Sequence, residues 1–148
     1  MVYIGPWSNY PPPRLLLQSG IVPPYVAIVD DEEPVRKALK RLLVASGFEV
    51  ESYASGKEFL ATKHPSPDCV VLDLHMPGMS GLQVLEEMRA AHRQLPTVVI
   101  TAYDTAEARA QCLAAGASAY LRKPLEERVL LNSISASMAQ ARSPTPKR

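Results

Sequence analysis

The sequence predicts an α/β domain built on a parallel sheet, and three observations carry that prediction. Short apolar runs of strand length, at Val26–Val29, Val70–Leu72 and Val98–Ile100, alternate with longer stretches whose apolar residues recur at helical spacing. These runs are continuously apolar, as strands covered on both faces are. Each ends abruptly in a polar residue, Asp30, Asp73 or Thr101, with turn chemistry soon after.

Taken in order, the chain opens on residues 1–24, where Pro6, Pro11, Pro12, Pro13, Pro23 and Pro24 are interleaved with Tyr3, Trp7 and Tyr10. Repeated prolines remove backbone donors and favour extended conformations, so an irregular arm is expected there. The first strand, Val26–Val29, runs into Asp30-Asp31. Glu32, Glu33 and Pro34 then open a helix, since acids and proline suit a first helical turn. Val35, Ala38, Leu39, Leu42 and Leu43 share one face of it, opposite Arg36, Lys37, Lys40 and Arg41, and it ends near Gly47.

Phe48 to Tyr53 alternates apolar and polar residues like an edge strand. Ser55 to Glu58 is a capping-box pattern that starts a short helix through Leu60, ending before His64-Pro65. The strand carrying Asp73 follows, closed by a Pro77-Gly78 turn. Leu82, Val84, Leu85 and Met88 mark a third helix. Pro96 precedes the fourth strand, Thr97–Thr101. Asp104 to Glu107 is expected to cap a fourth helix closed by Gly116. Ala119–Leu121 makes a fifth strand ending in Arg122-Lys123-Pro124, and a last helix runs from about Leu125 to about Ala139. One domain over residues 25–141 and a flexible tail over 142–148 complete the expected organisation.

At 148 residues and 47% hydrophobic, the chain can bury a core without disulfides or metal staples. A net charge of +1, with both signs interspersed, argues against an electrostatic nucleic-acid surface or a membrane patch. Cys69 and Cys112 lack metal-ligand spacing and are expected to be buried thiols in a reducing compartment. No apolar run reaches membrane-span length and no signal peptide is evident, so the expected location is cytoplasmic.

In a parallel sheet all strands point the same way, and ligands bind at the edge formed by their carboxyl ends. Asp30, Asp31, Asp73, Thr101 and Lys123 therefore converge by topology. Crowded carboxylates raise one another's pKa unless a counter-charge is present. Mg²⁺ suits a few carboxylates with water and a phosphate. Thr101 and Lys123 then serve as a hydrogen-bond donor and a positive charge for phosphoryl oxygens. Asp73 is the natural nucleophile, whose attack on phosphorus gives an acyl phosphate.

Val29-Asp30-Asp31, Val71 to Gly78, Ile100-Thr101-Ala102 and Tyr120 to Pro124 resemble, in order and spacing, the motifs of a response-regulator receiver domain of two-component signalling. The similarity covers about Tyr25 to Ala139. Glu32 to Lys37 further resembles the branch that usually carries a helix-turn-helix DNA-binding output domain; this sequence includes none, which fits either a stand-alone receiver or a piece of a longer regulator. The resemblance implies a flavodoxin-like doubly wound (βα)5 three-layer sandwich with strand order 2-1-3-4-5. It implies that Asp73 accepts a phosphoryl group from a sensor histidine kinase, a phosphotransfer protein or a small donor such as acetyl phosphate. Asp31, Asp73 and the backbone carbonyl of His75 would hold Mg²⁺ directly and Asp30 directly or through water, Lys123 would pair with the phosphoryl group, and its bond to Pro124 would be cis.

It further implies a switch in which Thr101 moves to the phosphoryl group and Tyr120 rotates inward. The face made by the fourth helix, fifth strand and fifth helix then changes for partner binding or homodimerisation. Ala102 leaves room for the phosphoryl group, while His75 and Tyr103 flank the path of water and tune its lifetime. A signalling protein is thus expected rather than a turnover enzyme, with no direct nucleic-acid binding by this chain. The alternative is an Mg²⁺-dependent aspartate-nucleophile phosphatase. Such an enzyme normally has a second acid two residues after the nucleophile, where this sequence has His75. His64 and His92 are expected to be solvated.

Overall fold

A computed structural model describes residues 22–62 and 66–142. Most of the expected proline-rich arm, His64 and the residues after 142 lie outside the described residues. Five strands and five helices alternate along the chain: β1 (Tyr25–Val29), α1 (Glu33–Ala45), β2 (Glu49–Tyr53), α2 (Gly56–Ala61), β3 (Cys69–Asp73), α3 (Gly81–Ala90), β4 (Thr97–Thr101), α4 (Ala106–Ala114), β5 (Ala119–Arg122) and α5 (Glu127–Arg142). The strands form one parallel sheet in the order β2-β1-β3-β4-β5.

Because successive side chains in a strand face opposite ways, the central strands feed two cores. Val26, Ile28, Val71, Val98 and Ile100 pack with Leu39 and Leu43 of α1 and Leu130, Ile134 and Met138 of α5. Ala27, Val29, Val70, Leu72 and Val99 pack with Phe59 of α2, Val84 and Met88 of α3, and Cys112 of α4. Hence α1 and α5 cover one face, and α2, α3 and α4 the other. β3 and β4 are buried at every position, as the unbroken apolar runs predict.

Local chemistry fixes the helix ends. Ser55 Oγ accepts from the Glu58 N–H at 3.1 Å, and Glu58 reaches back to the Ala54 N–H at 3.0 Å. A full capping box absent from the sequence reading opens α3, where Ser80 and Gln83 exchange bonds of 2.8 and 3.2 Å. The cap of α4 is Thr105 rather than Asp104, because only a hydroxyl at 105 reaches the N–H three residues on, Ala108, at 3.0 Å. α5 begins two residues later than expected, since Leu125 packs inward against the α1–α5 core instead of starting the helix. Gly47, Gly78 and Gly116 adopt positive φ, as helix ends and the turn after β3 require. Both cysteines are buried and free, and burial pushes the Cys69 thiol up to about 12, leaving it protonated and inert.

Candidate functional site

The carboxyl edge of the sheet gathers the polar strand ends. Asp73 is the last residue of β3, Asp30 directly follows β1, Thr101 closes β4 and Lys123 directly follows β5. β1 and β3 are neighbours where the strand order reverses, which leaves a crevice above them. In that crevice Asp30, Asp31 and Asp73 each present an oxygen within 4.8 Å of the others. Asp30 and Asp73 are buried and Asp31 is exposed, so the cluster has a closed floor and an open side.

Lys123 is the cation of the pocket. Its Nζ lies 3.1 Å from Asp30, 3.3 Å from Asp73 and 3.7 Å from Glu32. Burial draws its pKa down, but the facing Asp73 and Asp30 outweigh that and leave it raised, so the ammonium stays charged. Asp73 shows the opposite balance. Burial, reinforced by the neighbouring charge of Asp30, pushes its carboxyl up to about 6 although Lys123 pulls it back. With Asp30, Asp31, Asp73 and Glu32 gathered around one lysine, the pocket is short of positive charge.

Two contributors were not among the residues singled out from sequence. Glu32 supplies a third carboxylate to Lys123, at 3.7 Å, and its N–H donates to Asp30 at 2.9 Å. Arg36, on the first turns of α1, donates from its guanidinium to the Asp30 backbone carbonyl at 2.7 Å. Their adjacency to Asp30-Asp31 at a helix start was the available signal.

Thr101 stands at the same edge, fully buried, but its hydroxyl is engaged elsewhere. It accepts from the Tyr103 N–H at 3.1 Å and donates to the Tyr103 carbonyl at 3.2 Å. Ala102 and Tyr103 are exposed at the mouth, and the Tyr103 ring meets the exposed His75 edge-on at 5.4 Å. Tyr120 is not in the pocket. It pairs with Val99 inside the sheet and its ring is buried beneath α4 at 5% exposure. The Lys123–Pro124 bond is cis, as the resemblance implies. His92 is exposed, as expected.

A doubly wound parallel sheet with an acidic crevice at its switch point and one lysine among the acids defines a class of signalling domain. The family model described as response regulator receiver domain matches residues 26–135, and the chain belongs to that family, the receivers of two-component systems. It is 38% identical over 113 residues to the transcriptional regulatory protein FixJ of Rhizobium meliloti, covering 74% of this chain and 54% of that one. It is 41% identical over 109 residues to the response regulator MprA of Mycolicibacterium vanbaalenii, covering 72% and 47%. The chain therefore spans about half the length of the curated relatives it matches.

Among solved structures, FixJ-N superposes with a TM-score of 0.74 at 34% identity, covering 80% of this chain and 95% of that one. A receiver domain protein described as CheY-like from Methanospirillum hungatei gives 0.75 at 29% identity, covering 80% and 96%. No helix among the described residues is long and apolar enough to cross a membrane.

Proposed function

We propose that this chain is a phosphorylation-controlled switch in which Asp73 is the phosphoacceptor. The observation that carries the reading is the pocket itself: a buried Asp73 whose oxygen faces Asp30, Asp31 and the Lys123 ammonium at the carboxyl edge of the sheet. An Asp73 oxygen attacks phosphorus as the bond from phosphorus to the donor breaks. The electron pair of that bond leaves with the imidazole of a phosphohistidine, or with acetate from acetyl phosphate, and an acyl phosphate remains. Lys123 is positioned to transfer its attention from Asp73 to the new phosphoryl oxygens, because its Nζ already lies between the two aspartates.

The donor set fits Mg²⁺. It is made of oxygen ligands only, and three aspartates carry more charge than Lys123 alone neutralises. Asp30, Asp31, Asp73 and the His75 carbonyl would hold the ion. When bound, it supplies charge neutralisation at the transferring phosphoryl group. Thr101 would exchange its bonds to Tyr103 for one to the phosphoryl group, exposed Ala102 leaves that approach clear, and Tyr120 would read the change out to the α4-β5-α5 face. His75 and Tyr103, in edge contact at the mouth, would meter the water that ends the phosphorylated state.

The phosphoryl source is a sensor histidine kinase or phosphotransfer protein. An apolar groove of about 430 Å³, lined by Pro34, Val35, Ala38, Leu42 and Leu125, adjoins Lys123 and gives such a partner a place to dock beside the acceptor. Residues 25–141 constitute the receiver unit, and the α4-β5-α5 face serves partner binding or homodimerisation.

The test is intact mass after incubation with acetyl phosphate and Mg²⁺. One phosphoryl group is expected on the native chain and none on Asp73→Asn or on protein stripped of metal. A phosphoryl group on Asp73→Asn would sink the assignment.

A further inference from the structure

Outside the pocket, α4 and β5 share a contact that the switch chemistry above does not explain. The Tyr120 ring is buried, and its hydroxyl lies against the Thr105 backbone without closing a hydrogen bond of good geometry. A buried hydroxyl without a well-formed hydrogen bond is unfavourable, so this group alone would draw the ring outward to water. Nor does Thr101 account for the inward ring, since its own hydroxyl is held by the Tyr103 backbone and has not turned toward Asp73. What lies over the ring is Arg109, with its guanidinium carbon 4.9 Å from the ring centroid. That is cation–π distance, and Arg is the cation that most often makes this contact.

We propose that Arg109 is a positioning residue that holds the Tyr120 ring inward before any phosphoryl group arrives. The inference rests on the reading of Tyr120 as the switch aromatic. Ring burial and the guanidinium favour the inner position, and the poorly satisfied hydroxyl favours the outer one. Opposed in this way, the two positions lie close in free energy, which is the condition for a small input to move the population. Arg109 also ties the ring to a lightly packed neighbour: α4 buries Cys112 alone among its residues. A ring gripped from α4 moves that helix when it moves.

The experiment is NMR of the tyrosine ring signals in the full chain without a phosphoryl donor, with Tyr120 assigned through Tyr120→Phe. In Arg109→Ala the ratio of inward to outward ring is expected to fall about 2- to 5-fold, the range of an exposed cation–π contact. Arg109→Lys is expected to shift the ring in the same direction by less, and Gln111→Ala, also exposed on α4, to leave it unmoved. Unchanged ring signals in Arg109→Ala would overturn the proposal, as would an equal change in Gln111→Ala. Were Arg109→Ala to lose helical circular dichroism, Arg109→Lys decides: a partial shift supports the grip and none overturns it.

A beryllofluoride titration separates this inference from the function it rests on. Arg109→Ala is expected to require up to the same factor more beryllofluoride for half-conversion. A native chain that ignores beryllofluoride counts against the phospho-switch, while the ring comparison still judges Arg109.

Discussion

The backbones of Gly81 and Asp73 are packed so closely that a Cβ on residue 81 would stand 2.5 Å from the Asp73 carbonyl oxygen. The Gly81 N–H also donates to the Leu74 carbonyl at 2.8 Å. The start of α3 is thereby pressed against the end of β3, and the proposed nucleophile is held from behind by main chain that cannot yield as a side chain can.

Gly81→Ala is therefore expected to destabilise the fold by about 2 kcal/mol, in the range of overpacking. It should also slow acceptance from acetyl phosphate about tenfold, since small displacements of an attacking group are costly. Gly56→Ala is the comparison. Its Cβ would meet the Val84 side chain at 2.4 Å, away from the pocket, so stability should fall with little change in rate. Urea denaturation and a mass-spectrometric time course measure both.

Asp73→Asn should stabilise the metal-free protein at neutral pH. A carboxyl raised to about 6 favours the folded state only while protonated. Its contribution is fully present below the unfolded value near 3.8 and is lost as pH rises through about 6. The difference in stability between Asp73→Asn and the native chain should therefore grow between about pH 4 and pH 7 and level off above, reaching on the order of 3 kcal/mol. Denaturation across that window in chelator checks it, and a difference independent of pH would contradict it.

Magnesium should reverse that penalty. At a concentration a hundredfold above its dissociation constant, a ligand specific for the folded state adds about 2.7 kcal/mol of stability. The native chain should gain in melting temperature with Mg²⁺ and lose the gain in chelator, and Asp31→Asn should respond weakly. An equal rise in both proteins would place the ion elsewhere.

Lys123→Met should be destabilising by about 3 kcal/mol, because it leaves the buried Asp30 and Asp73 facing each other without the ammonium between them. In the double variant with Asp73→Asn much of this loss should return, a coupling visible as non-additivity in a thermodynamic cycle. Strict additivity would mean that Lys123 and Asp73 do not interact.

The sheet and its polar carboxyl edge were legible because the relevant residues announce themselves locally. An apolar run that stops at Asp73 or Thr101 states both a buried strand and a polar end. Parallel topology then brings those ends together whatever the loops do. The α4 cap was misplaced by one residue because Asp104 and Thr105 are both competent caps, and only backbone geometry chooses between them. Arg36 was read as part of a solvated helix face. Its reach back to the Asp30 carbonyl depends on how the first turn of α1 meets β1, which spacing does not encode. Tyr120 was expected to move inward on phosphorylation, and the structure has it inside already, under Arg109. That contact joins residues of two elements whose mutual rotation is set by packing, so no pattern within either stretch could have shown it.

The Thr101 hydroxyl closes a small ring with both backbone groups of Tyr103. In the proposed switch, capturing a phosphoryl oxygen is then an exchange of partners rather than the making of a new bond, and the loop between Thr101 and Thr105 is released by the same event. Exchange reactions run on small differences between large, similar quantities. The threshold at which this chain responds would accordingly be adjusted by whatever strains or relaxes one short loop, leaving the carboxylates that receive the signal untouched.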